Sequence, residues 1–368
     1  MEQSPNTPEA DLTAATSTVS ATPTEAAIEF DSHPFTFHGL GGEFFRIWIV
    51  NIVLTILTLG IYAAWAKVRT HQYFYGNMQV AGGSFQYLAN PVTILKGRII
   101  AVVLFVAFFF LNQQFPVETM VVSIPLFLFL SPWIINRSLR FNMRNTAFRN
   151  IRFDFTGSYG SAFCNFVLGY LAVLFSFGIA FPWWIRQLNK YLVNNTKYGD
   201  APFEAKLDVG EYYITFLMAM LIATVLYIGL FVLGGLSFAG AAFDAPAVAT
   251  IGTGITVLVG IIGFTFVKAF VNARLGNLLF NNTKLKENKF KSQLDAKALT
   301  KLYLLNALLI IVTLGFAIPW VICNLVRYRA ETLVLEGNDL DSFVAAQIDA
   351  GNAIGEEIGD VFDIELGL

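Results

Sequence analysis

The sequence predicts an all-α polytopic membrane protein of about seven hydrophobic helices, with internal pseudo-repeats and small β-hairpins at the membrane surface. Three observations predict it. The 368 residues are 55% hydrophobic and only 14% charged, where a soluble domain carries about 25% charged residues, and the mean hydropathy is +0.59. Apolar residues gather in stretches close to the roughly 20 residues that a membrane helix needs. The charges are also segregated: residues 1–43 hold seven acids and residues 336–368 nine, neither with any Lys or Arg, so 44–335 holds all 24 bases against ten acids, a net of +14. Together these features exclude a disordered chain, a nucleic-acid binder with a basic surface and an ordinary soluble enzyme.

In chain order, residues 1–33 read as a disordered acidic tail. They are rich in Ser, Thr, Pro and Ala, and lack the positive and apolar regions of a signal peptide. The membrane domain, 34–335, carries hydrophobic segments at about 44–66, 99–116, 119–136, 162–185, 212–236, 248–271 and 302–326. Lys96 and Arg98, just before the second, can snorkel to headgroups. The connections 112–118 and 237–246 are short and free of basic residues, while the others are longer and basic. Residues 336–368 form an acidic tail in which Val344, Ile348, Ile354, Ile358, Val361 and Phe362 recur at near-helical spacing, as in an amphipathic helix.

Two motifs recur. The first reads Thr58-Leu59-Gly60-Ile61-Tyr62-Ala63-Ala64-Trp65, then Ser176-Phe177-Gly178-Ile179-Ala180-Phe181-Pro182-Trp183, then Thr313-Leu314-Gly315-Phe316-Ala317-Ile318-Pro319-Trp320. Trp lies five residues after Gly, and Tyr73, Tyr191 and Tyr328 lie thirteen after it. Asn51 and Asn306 each precede their Gly by nine, a place held by Gly169 in the second copy. The second motif sets Asn77, Asn145, Asn195 and Asn282 eight residues before Phe85, Phe153, Phe203 and Phe290. Between them, Gly82-Gly83, Arg149-Asn150 and Gly199-Asp200 predict tight hairpin turns. Alternation of Ile151, Phe153 and Phe155 predicts a short strand. An offset of 137 residues relates Asn145 to Asn282, Gly178 to Gly315 and Tyr191 to Tyr328. Glu336-Gly337-Asn338-Asp339 sits where a fifth such unit would turn.

The run at 58–69, with Asn77 and Phe85 behind it, resembles the YjgN-like family of bacterial inner-membrane proteins, over most of 35–368. Ala64 departs from the Pro found at the equivalent places, Pro182 and Pro319. The resemblance implies a multi-pass location in the inner (cytoplasmic) membrane, and it carries no substrate, cofactor or catalytic residue.

Gly suits the C′ position that ends one helix, and Pro the first turn of the next. Thr58, Ser176 and Thr313 can back-bond their helices and favour a bend. A broken helix lining a substrate path and a plain kink at the interface both fit, with Trp65, Trp183 and Trp320 at the headgroup boundary. Asn51 and Asn306 are the candidate ligand-binding residues. Their plainer role is interhelical glue, worth on the order of 0.6 kcal/mol per bond. Cys164 and Cys323 lie in apolar stretches, and His33, His38 and His71 lack metal-ligand spacing, so no metal or cofactor is expected. No catalytic motif is present.

Two functions follow: binding or passage of a small solute or lipid through the bundle, or a structural, envelope-maintaining role in which the basic body grips anionic lipid. Nucleic acid is not an expected partner. If all seven stretches cross, the basic residues divide evenly between the two faces. If the three Gly–Trp helices instead bend back, 22 of them share one face with every hairpin. The positive-inside rule then makes that face cytoplasmic.

Overall fold

The computed structural model describes residues 31–337. Residues 1–30 and 338–368, including the amphipathic acidic helix expected near the C-terminus, lie outside the described residues.

Strands come first because they organise everything else. β1 (Ser32–Pro34) and β2 (Thr36–Phe37) are two halves of one segment, separated by Phe35. Four tight antiparallel hairpins follow: β3 (Met78–Val80) with β4 (Gly83–Tyr87), β5 (Thr146–Phe148) with β6 (Ile151–Phe155), β7 (Thr196–Tyr198) with β8 (Ala201–Ala205), and β9 (Thr283–Leu285) with β10 (Asn288–Ser292). Their two-residue turns hold left-handed residues, as hairpin twist demands: Ala81 and Gly82, Arg149 and Asn150, Gly199, and Lys286. The first turn is thus Ala81-Gly82, one residue earlier than the Gly82-Gly83 expected. β11 (Leu333–Glu336) pairs with β10 on one side and with β1 on the other. A fifth strand pair is therefore assembled from the two ends of the described segment.

All eleven strands form one antiparallel sheet, in the order β1-β11-β10-β9-β8-β7-β6-β5-β4-β3-β2. Its two terminal strands are consecutive in sequence, so the segment 32–37 bonds β11 on one edge and β3 on the other. Phe35 N–H donates to Leu333 O at 3.0 Å, and Gly337 N–H to Asp31 O at 3.0 Å. The sheet is a nearly closed ring, which leaves little free edge to pair elsewhere. Inside it runs a relay of rings: Phe35 to Phe85 (6.5 Å), Phe85 to Phe153 (6.4 Å), Phe153 to Phe203 (6.3 Å) and Phe203 to Phe290 (6.1 Å). Phe290 then lies opposite Leu335, which is buried.

Each unit of the ring feeds a helical hairpin. These are α1 (Gly41–Leu57) and α2 (Ala63–Asn77); α3 (Pro91–Gln114) and α4 (Pro116–Arg144); α5 (Tyr159–Ala162), continued by the π-helical Phe163–Leu168 into α6 (Gly169–Phe175), and α7 (Phe181–Asn194); α8 (Val209–Ala242) and α9 (Pro246–Asn281); α10 (Ala296–Val312) and α11 (Ile318–Glu331). The outgoing helices start at the same distance from the ring. Asn90, Ser158, Asp208 and Asp295 cap four of them through their side chains, three residues after the strand ends. Returning helices end alike: Asn77, Asn145, Asn195 and Asn282 donate Nδ2 to the carbonyl four residues back, at 2.7–2.8 Å. Thr332 does the same with its hydroxyl at the fifth place.

This architecture corrects two expectations. The protein is not all-α, since the hairpins, expected as separate surface features, join into a single sheet that carries every helix. Nor does it have about seven spanning helices. Four among the described residues are long and apolar enough to cross: α3, α4, α8 and α9. The other three stretches, 44–66, 162–185 and 302–326, each straddle a reversal between two short helices. The reversals are themselves apolar, so hydropathy reads straight through them.

One ring implies one side for all its hairpins. With Cys164 and Cys323 replaced by alanine, single cysteines introduced at Asn150 and Glu287 are expected to respond identically to an impermeant maleimide in intact cells; labelling of one and protection of the other would refute the ring.

Candidate functional site

The most unusual local structure is the elbow between short helices, which is built three times. Leu59, Phe177 and Leu314 have φ of 50°, 52° and 50°, and the following Gly60, Gly178 and Gly315 have 92°, 88° and 91°. The left-handed position closing the first helix is thus taken by Leu or Phe, and the glycine comes one residue later than the C′ place expected for it. Gly60, Gly178 and Gly315 N–H groups reach back five residues to Thr55, Val173 and Ile310 O at 2.8–2.9 Å, as in a Schellman ending. Thr58 Oγ1 donates to Leu54 O (2.7 Å) and accepts from Tyr62 N–H (2.9 Å). Thr313 repeats both bonds, and Ser176 accepts likewise from Ala180 N–H but donates to Val173 O, three residues back, at 3.1 Å. Every backbone N–H from 58 to 63, 176 to 181 and 313 to 318 has a partner. What remains outward is apolar: Leu59, Phe177 and Leu314 are 94%, 97% and 88% exposed.

The residues around the elbows are structural. Ala64, Pro182 and Pro319 are buried in the first turn of the returning helices. Trp65 stacks on Tyr62 at 6.3 Å, and Trp320 lies 5.2 Å from Phe45. Trp183 is half-buried, but its neighbour Trp184 carries the bond, donating to Asn165 O at 2.7 Å. Tyr73 and Tyr328 clamp the start of their own hairpin, 33 residues back, at Leu40 and Asp295. Tyr191 instead donates to Asn136 Oδ1 at 3.1 Å. In the ring, Tyr198 donates to Phe148 O at 3.0 Å, and burial pushes its hydroxyl up to about 12. It is therefore a neutral donor at every physiological pH.

Asn51 and Asn306 are both buried but lie on different hairpins and do not bond each other. Asn51 Nδ2 donates to Ala66 O at 3.3 Å, tying α1 to α2, and its Oδ1 is buried without a partner.

Many of the bases that gave the body its charge are turned inward, which the sequence does not show. Arg140 donates to Phe155 O and Gly157 O, Arg186 twice to Leu207 O, and Arg327 to Gly39 O. Phe155 ends β6, and the other carbonyls lie in the links between ring and helix. Arg149 bonds Ala81 O of the neighbouring hairpin, and Arg144 pairs with Asp154 at 2.8 Å. The bases that line open grooves are others. One groove, of about 410 Å³, joins Lys297 and Lys301 to Leu304, Leu305 and Phe266. A second, of about 370 Å³, joins Lys67, His71 and Arg98 to Ile52 and Ile56, beside Asn51.

These features define a multi-helix membrane protein, and its relatives are of the same class. Residues 32–361 match the family model described as "Bacterial protein of unknown function (DUF898)", and the chain belongs to that family. It is similar to Inner membrane protein YjgN of Escherichia coli (strain K12), 25% identical over 85% of this chain and 91% of the relative. The protein of the same name from Salmonella typhimurium is 24% identical over 84% of this chain and 90% of its own. No solved structure matches. The chain is a multi-pass protein of the bacterial inner membrane.

At Gly60 and Gly178 an added Cβ meets nothing within 4 Å, so substitution tests backbone conformation alone. Gly178→Ala is expected to lower stability by about 1–2 kcal/mol, read as a drop in thermal midpoint in detergent, whereas Gly160→Ala, also open but at ordinary φ, is expected to be near neutral.

Proposed function

We propose that the protein binds anionic phospholipid around its helical ring and serves as a structural organiser of the inner membrane. The observation that carries this reading is the pair of open grooves, each with cations at one part and aliphatic or aromatic side chains beside them. An anionic phospholipid has that same division, with phosphate at one end and acyl chain at the other. Each near-surface Lys or Arg contributes about 1 kcal/mol toward anionic headgroups. Passage of a solute is less well supported, since it asks Asn51 and Asn306 to converge on one centre. The shared caps and Asn amide bonds further support reading the chain as five copies of one strand–helix–helix–strand unit, three short and joined by an elbow, and two long.

Lys297→Gln/Lys301→Gln is the informative variant because both side chains line one groove and neither is used in the links. Removal of two charges at about 1 kcal/mol each predicts roughly 30-fold weaker retention of an anionic lipid at that groove. Native mass spectrometry of purified protein titrated with phosphatidylglycerol and phosphatidylcholine measures it. The wild type is expected to prefer the anionic lipid, less so in high salt, through screening. Equal retention of both lipids by wild type and variant would refute the reading.

A further inference from the structure

The geometry points to a wedge: the protein displaces far more area in the ring-side leaflet than in the opposite one, and so favours membrane that is convex toward its β-ring. The partner is the bilayer itself, and the shape is independent of whether the grooves hold lipid.

Helix lengths carry the inference. The three short outgoing arms, Gly41–Leu57, Tyr159–Phe175 and Ala296–Val312, run 17 residues each, about 25 Å at 1.5 Å per residue. α3 runs 24 residues and α8 runs 34, about 36 and 51 Å by the same rise. All start from the same ring, so the elbows stop roughly 10–25 Å short of the long tips. The returning arms also limit the depth. Lys67 and Arg186 come seven and eight residues after Gly60 and Gly178, leaving about 10–12 Å of uncharged helix at the tip. A hydrocarbon core of about 30 Å has leaflets of about 15 Å, so the first two elbows end within the leaflet they enter. The third, whose first base, Arg327, comes twelve residues after Gly315, stops near the midplane at about 18 Å.

The elbows are nonetheless made for lipid. In hydrocarbon a bare chain reversal would leave backbone groups unsatisfied at several kcal/mol each. Here each reversal pairs its N–H groups internally and exposes Leu59, Phe177 or Leu314 together with Ile61, Ile179 or Phe316. Water gives no reason for that exposure. Counting α5 and α6 as one arm, ten helical arms occupy the ring-side leaflet and four, α3, α4, α8 and α9, the other. At a helix diameter of about 10–12 Å, this is roughly 900 Å² against roughly 400 Å².

The test uses full-length protein with Cys164 and Cys323 replaced by alanine and a single cysteine introduced at Glu287. It is reconstituted into giant vesicles and labelled from outside with an impermeant fluorophore, so that only molecules with the ring outward are seen. A thin membrane tether is then pulled. The ring-outward population is expected to be enriched about twofold or more in the tether relative to the vesicle, about 0.4 kcal/mol of partition free energy. In a second preparation, labelled before reconstitution and quenched from outside by an impermeant quencher, the molecules that stay visible have the ring inward and are expected to be depleted. Leu59→Asn/Phe177→Asn/Leu314→Asn, which keeps residues at ease with positive φ but removes the apolar tips, is expected to lose the enrichment at unchanged elution on gel filtration. Equal density in tether and vesicle for both wild-type orientations would overturn the wedge, whatever the triple variant does. Undiminished enrichment of a folded triple variant would overturn the role of the elbows.

Discussion

Closure of the β-ring is the constraint on which the remaining structure depends. Strands of two to five residues have little stability as isolated hairpins, and four separate hairpins at a membrane surface would each expose two free edges. The segment 32–37 removes both problems, because it bonds β11 on one side and β3 on the other. Loss of that segment would open the ring and leave β11 and β3 as two unpaired edges. The Phe relay from Phe35 to Phe290 would lose its first member, and the link that follows, where Gly39 O accepts from Arg327, would lose its anchor in the sheet. The ends of the folded domain are thus held together by backbone pairing and a charged side chain.

From the ring the helical layer follows by spacing. Strand end to N-cap is three residues in every unit, and the returning helix ends at an Asn or Thr that bonds four residues back. The links between ring and helix are irregular, so their carbonyls need partners from elsewhere. Arg140, Arg186, Arg327 and Asn277 supply them. A charged group bonded to a backbone carbonyl is worth about 1.5–3 kcal/mol. This explains why a membrane protein keeps arginines on half-buried faces, and why total basic charge overstates what is offered to lipid.

Much of the local structure was legible in the sequence, and the long-range structure was not. The Asn-to-Phe spacing of eight marked all four hairpins, and the Gly-to-Trp spacing of five marked all three reversals, because turns and elbows are set by residues close together in the chain. The number of spans was misread for the same reason. An elbow built from Thr, Leu, Gly and Ile is as hydrophobic as the helices it joins, and a hydropathy window has no term for direction. Ring closure pairs Pro34 with Val334, three hundred residues apart, and no short pattern encodes that. Of the candidate ligand residues, Asn51 and Asn306 are polar positions in apolar helices, and the structure uses Asn51 within its own hairpin. The inward turn of the arginines had no sequence signal, since Arg140 and Arg137 look alike on a helix until the link they face is known. The grooves depend likewise on which helices become neighbours.

The elbow shows how a chain can reverse inside lipid, where polar backbone must be satisfied without water. A two-residue left-handed step turns the chain but leaves N–H groups open. The hydroxyl of Thr58, Ser176 or Thr313 closes the gap by serving at once as donor to the outgoing helix and acceptor from the returning one. Placing Leu or Phe in the first left-handed position costs about 1–2 kcal/mol, which glycine would have avoided. Burying a Leu or Phe side chain in hydrocarbon returns about 1.5–3 kcal/mol. The exchange is favourable only if the tip meets lipid, since in water the strain would have no compensation. That the same costly choice stands at all three elbows, at φ of 50–52° and 88–97% exposure, is what assigns these tips to the membrane and not to the solvent around the ring.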